Sequence, residues 1–202
     1  MSTTDALGAK DPEERRRRIL AAAVEMLIAR GFVGTRMSDI ATAAGTSPAL
    51  IVYHFGSLDG VLAEAVRSVE DDFFADYVEM LPDGAGAVER LRLTGVIGAD
   101  SGPAVGNWVL WMEIWVRALR DERTREIRQA MDARWRGHIR QVLEDGVAEG
   151  VFTCPDPEAS AVRLVAVLDG LAVQVSLGDP SVTADRMVGL WLGAAAEEGG
   201  LP

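Results

Sequence analysis

A chain of 202 residues, 49% hydrophobic and 25% charged, has an ordinary globular composition: one large domain or a small one joined to a larger, with disorder expected only at the ends. One cysteine, Cys154, excludes an internal disulfide and a multi-cysteine metal site, and two histidines, His54 and His138, leave few zinc ligands. The net charge of −11 argues against nucleic acid for the chain as a whole, yet residues 1–56 hold seven Lys/Arg against six acids while the rest holds thirteen against twenty-five.

The chain order predicts helices throughout. Asp11 caps and Pro12 opens a first helix running to Arg30, with Ile19, Leu20, Ala23, Val24, Leu27 and Ile28 as its apolar stripe and Gly31 as its left-handed end. Thr35 or Ser38 caps a short second helix through Ile40 to Ala44, closed by Gly45. Ser47 and Pro48 start a third over LIVYHF, where β-branched and aromatic residues make a strand the competing assignment. Two short helices joined by a turn, packed beneath a longer one, outline a helix-turn-helix.

Ser57 caps a fourth helix reaching Met80. Beyond it, Asp83-Gly84, Ser101-Gly102-Pro103, Asp121, Gly150, Asp156-Pro157 and Gly178-Asp179-Pro180 separate further helical patterns. The fold class is all-α, about nine helices, with domains at residues 1–56 and 57–202. No apolar run follows a basic N-terminal region and the longest apolar stretch is broken by Asp169 and Gln174, so the expectation is a cytoplasmic chain with no membrane partner.

The segment RILAAAVEMLIARGFVGTRMSDIATAAGTSPALIVYHFGS resembles the DNA-binding domain of TetR-family transcriptional regulators. The likeness rests on Ile19-Leu20, Ala22-Ala23, Gly31-Phe32, Thr35, Ile40-Ala41, Ala44-Gly45, Ser47 and His54-Phe55-Gly56-Ser57. Further on, WMEIWVRALRD, ARWRGHIRQVLEDGVAEGVF and LVAVLDGLAVQ are similar to the ligand-binding and dimerisation domain of choline-responsive, BetI-like members. Two positions depart from the family: Val52, often Tyr, and Leu58, often Lys, both commonly phosphate contacts.

The resemblance implies a homodimer on a double-stranded DNA operator, released by an unidentified small-molecule effector, with no cofactor. Carried over by position, Ser47, Pro48, Ala49 and Leu50 face the bases, Tyr53 and His54 face phosphates, and Thr35, Arg36 and Ser38 stand at the start of the second helix. That base-facing set has one donor, the Ser47 hydroxyl, so Leu50 and Ala49 act by shape and thymine-methyl contact. Arg15 to Arg18 either reach phosphates or balance Glu13 and Glu14. His54 either contacts phosphate or packs against the fourth helix.

In the body, Trp108, Trp111, Met112 and Trp115 share one helical face. With Phe73, Phe74, Tyr77, Trp135 and His138 they either line a pocket or pack as plain core. Glu113 or Asp169 beside such a cage suits a quaternary ammonium compound such as choline, unless the carboxylates pair with Arg117 or Arg163. Residues 157–177 and 184–196 are apolar on more than one side, and Leu164, Leu168, Leu171, Val175, Met187, Leu190 and Trp191 are expected at a two-fold four-helix interface that Gly170 lets close. An activator role stays open. An all-helical enzyme or carrier finds no support in a nucleophile-base set, metal spacing or phosphate loop, and Cys154 reads as a spectator thiol.

Overall fold

The computed structural model describes residues 12–99 and 108–200, without the side chains of Phe73 and Arg123. Among these residues it is all helix: α1 (Pro12–Gly34), α2 (Met37–Ala43), α3 (Pro48–Phe55), α4 (Leu58–Met80), α5 (Ala87–Ala99), α6 (Trp108–Ala118), α7 (Glu122–Ala148), α8 (Pro157–Ser176) and α9 (Ala184–Gly199). The expected cap at Asp11 and the Ser101-Gly102-Pro103 break lie outside the described residues.

The helix starts follow local chemistry. Ser47, Ser57, Asp121, Asp156 and Thr183 each accept a backbone N–H of the following turn, satisfying a donor that has no partner inside the helix. Helical geometry in α1 breaks at Gly31, whose φ of 66° is cheap only for glycine. At α2 the capping expectation fails. Arg36 holds the cap position without a side-chain bond, while Thr35 is 2% exposed and donates its hydroxyl to Gly31 and Met26 carbonyls at 2.7 and 3.2 Å. Thr35 thus closes the α1 end instead of opening α2.

The chain forms two compact units, to Val69 and from Glu70. The first takes in the start of α4, past the expected division at Gly56, because Val61, Leu62, Ala65 and Val66 are buried there along with Ile19, Leu27, Ile40, Ile51 and Phe55. The second is built on α5, α7, α8 and α9. Its core includes Leu91, Ile139, Val142, Leu143, Leu164, Leu168, Met187 and the fully buried Trp191, whose Nε1 donates to the Leu91 carbonyl at 2.8 Å. By length and apolarity α8 could cross a membrane; here it lies along α7 and α9 as a core helix.

Candidate DNA-binding surface and effector site

In the first unit, α3 is a short helix pinned from below. Ile51 and Phe55 are buried, whereas Ser47, Pro48, Ala49, Val52 and Tyr53 are exposed, Tyr53 at 81%, and Leu50 is half-buried. The period of the helix alone makes this division: positions four apart anchor, and those between face outward. The Ser47 oxygen accepts the Leu50 N–H at 3.2 Å, which leaves its own proton free for a base or phosphate. Arg36 and Ser38 are exposed at the start of α2.

Two residues assigned to this surface behave otherwise. Thr35 is buried and its hydroxyl is spent on carbonyls of its own unit, so its side chain is not offered to DNA. His54 is half-buried, with Nε2 enclosed and lacking a hydrogen-bond partner among the described residues, and its ring meets Tyr53 edge-on at 5.3 Å. The arginine run also divides. Arg16 binds Glu64 at 2.8 Å and stacks over Phe55 at 5.4 Å, holding α1 to α3 and α4, while Arg17 pairs with Glu14 at 2.5 Å on the surface.

The aromatic residues of the second unit fall into two places rather than one cage. His138 stands amid Tyr77, Phe74 and Trp135, with ring centroids at 4.7, 5.7 and 6.3 Å, so these four rings pack on one another. The Thr94 hydroxyl donates to the Arg90 carbonyl at 2.9 Å, so His138 Nε2 is the donor toward Thr94 at 3.4 Å. Burial, reinforced by Arg90, pushes the His138 pKa down to about 4, and the ring is neutral at pH 7. The Tyr77 hydroxyl, raised by burial, donates to the Arg90 carbonyl at 3.2 Å. Phe73 lies outside the described side chains.

On α6, Trp108 and Trp115 meet edge-on at 6.3 Å, and Trp108 donates to the Gly98 carbonyl at 3.1 Å. Trp111 and Met112 are half-buried beside them. Against Trp115 lies a group that sequence reading passed over: the Arg128 guanidinium, 5.9 Å from the ring centre, paired with Asp132 at 3.0 Å. Its signal in the sequence is an i, i+4 ion pair, which ordinarily marks a solvated face. Asp169 acts electrostatically on the same pair and is pushed up to about 7, by burial first and then by Asp132, with Arg128 opposing. Arg163, its suggested partner, binds Glu198 instead at 2.5 Å.

Four of the seven residues expected at the dimer interface need correction. Leu164, Leu168, Met187 and Trp191 are buried in their own subunit's core, and Leu171 and Val175 are half-buried against it; only Leu190 is exposed, at 43%. One side of α8 and α9 is consumed by α5 and α7, which the apolar pattern alone could not assign. The outer side carries Val162, Ala166, Gly170 and Gln174 on α8, with Leu177 just past its end, and Gly189, Leu190 and Gly193 on α9. An added Cβ at any of these three glycines meets open space.

Residues 19–65 match the family model of bacterial regulatory proteins of the tetR family, and residues 99–199 match the C-terminal domain of BetI-type transcriptional repressors. The HTH-type transcriptional regulator BetI of Agrobacterium fabrum is 30% identical over 166 residues, which cover 81% of this chain and 77% of that one. The chain belongs to the TetR family of transcriptional regulators, in its BetI type. Among solved structures, a transcriptional regulator from Saccharomonospora viridis in complex with choline is 33% identical, with a TM-score of 0.77 over 92% of this chain and 96% of that one. A TetR-family regulator from Rhodococcus sp. superposes with a TM-score of 0.83 at 28% identity, covering 93% and 99%. As a BetI-type member the protein is a ligand-responsive DNA-binding regulator rather than an enzyme.

Proposed function

We propose that the protein is a cytoplasmic repressor that binds a palindromic operator as a homodimer and is released by a small quaternary ammonium effector, choline or a close analogue. The observation that carries the DNA half is α3, capped by Ser47, anchored by Ile51 and Phe55, and exposed over Ser47, Pro48, Ala49, Val52 and Tyr53. In such motifs the N-terminal residues of the second helix meet base edges, and a dimer places two of them about 34 to 36 Å apart. Ser47 to Leu50 meet bases, Tyr53 meets phosphate, and Arg36 and Ser38 reach the backbone. With so few donors at the bases, phosphate register and DNA shape carry much of the specificity.

The homodimer reading is supported by the outer face of α8 and α9, where Val162, Ala166 and Leu190 alternate with three glycines that allow close helix approach and Gln174 is the polar member of the α8 stripe. Residues 1–56 recognise DNA and residues 57–202 bind effector and partner. The effector reading is supported by the choline held by the Saccharomonospora relative. Release requires only that the effector favour a conformation in which the two recognition helices lose operator spacing. A gel-shift with DNA flanking the protein's own gene tests this. A shift that choline reverses is expected; failure to bind that DNA, or binding indifferent to choline, overturns the corresponding half.

A further inference from the structure

A cation already occupies an aromatic and acidic site where α6, α7 and α8 pack together. The Arg128 guanidinium stands 5.9 Å from the Trp115 ring centre and reaches Asp132 through one nitrogen at 3.0 Å. It is poorly satisfied there: a guanidinium has five donors and favours a bidentate carboxylate, but the Arg128 Nε is buried with no hydrogen-bond partner among the described residues. From α8, Asp169 adds a second, half-buried carboxylate, which makes no hydrogen bond or salt bridge among the described residues but feels both Asp132 and Arg128. Arg128 and, acting from further off, Arg136 are both engaged with Asp132, so Asp169 has no cation of its own beside the aromatic face when it is ionised.

A quaternary ammonium suits this place better than Arg128 does. It has no N–H to leave unpaired, it is attracted to the face of tryptophan more strongly when desolvated, and its charge is fixed. We propose that Trp115, Asp132 and Asp169 form the effector's cation site and that Arg128 is its built-in placeholder, displaced toward solvent when the ammonium group binds. The placeholder makes effector binding a competition: α7 holds Arg128 over Trp115 in the unliganded protein and releases it in the liganded one. This gives the effector a differential interaction with two states, which any release mechanism needs. The inference rests on the cationic-effector reading above. Because the proton on Asp169 competes with the ligand, binding should also tighten as pH rises through about 7, in a site whose other charged groups are Asp132 and Arg128, with Arg136 acting on Asp132.

Choline chloride titrations followed by calorimetry and tryptophan fluorescence test it, with far-UV circular dichroism and ligand-free operator binding as folding controls. Arg128→Gln should tighten choline binding, by about threefold to thirtyfold. Asp169→Asn should weaken it about tenfold or more, with Asp132→Asn as the second variant should the first misfold, and Trp115→Phe should retain binding that Trp115→Leu loses. The uncharged isostere 3,3-dimethyl-1-butanol should bind far more weakly than choline. Choline binding by the wild type that Arg128→Gln weakens, or that Arg128→Gln and Asp169→Asn both leave within error, overturns the proposed site while the cationic-effector reading stands. No binding by the wild type at millimolar choline overturns both.

Discussion

Gly95→Ala is a small change aimed at a place with no room. Gly95 is buried on α5, and a Cβ there would sit 2.0 Å from Cδ1, 2.7 Å from Nε1 and 2.9 Å from Cγ of Trp191. The indole must move, yet it is fully buried and tied by Nε1 to the Leu91 carbonyl, one turn earlier on the same helix. Overpacking costs about 2 kcal/mol and a buried indole N–H without its acceptor about 2 kcal/mol more, while alanine's higher helix propensity returns about 1 kcal/mol. The expected net loss is about 3 kcal/mol, measured by urea unfolding followed by far-UV circular dichroism at one fixed protein concentration, since the proposed dimerisation would make stability concentration-dependent. On a Trp191→Ala background the same substitution should lose its penalty and gain about 1 kcal/mol, a coupling that a double-mutant cycle isolates. A Gly95→Ala protein as stable as the wild type would refute the argument that Trp191 locks α9 onto α5.

Three further outcomes are expected. His138, with its folded pKa near 4 below the ordinary 6.5, binds fewer protons folded than unfolded between those values, so its share of stability is whole above pH 6.5 and lost as pH falls toward 4. That share is about 3 kcal/mol, and His138→Gln should remove it from the pH dependence of urea unfolding, whereas Asp169→Asn should remove a trend of opposite sign, because a raised carboxylate costs stability as pH rises from about 4 to about 7. Gly170→Leu and Gly193→Leu, which meet open space within the chain, should leave circular dichroism unchanged and convert the proposed dimer to monomer in light scattering; an unaltered dimer would place the interface elsewhere. Thr35→Val should lower stability by about 1–2 kcal/mol through loss of the one hydroxyl proton shared between the Gly31 and Met26 carbonyls, yet leave operator affinity of the folded fraction intact; a selective loss of affinity would return Thr35 to the DNA surface.

Much of the head was legible because its signals are local. Ser47-Pro48 at the start of α3, Ser57 before α4 and Gly31 at the break in α1 each act within one turn of chain, so composition and spacing suffice to place them. The LIVYHF segment shows the limit of propensity: β-branched and aromatic residues favoured a strand, and the cap together with the inward pair Ile51 and Phe55 made it helix. Thr35 was misread because its two acceptors, on Met26 and Gly31, become neighbours only when α1 breaks. The body misled more. Its tryptophans share a helical face, but whether a face meets ligand, core or a guanidinium depends on the helix opposite, and Arg128 and Asp132 looked like an ordinary surface pair.

The sequence by itself determined an all-helical chain, the helix-turn-helix and its caps, and the family, since these rest on periodicity, capping chemistry and spaced identities along one stretch. Only the tertiary structure decided which side of α8 and α9 is core, that His138 packs among Tyr77, Phe74 and Trp135, and that Arg128 stands over Trp115. An apolar stripe fixes that a face must be covered, but what covers it comes from residues tens of positions away, and packing alone chooses among them.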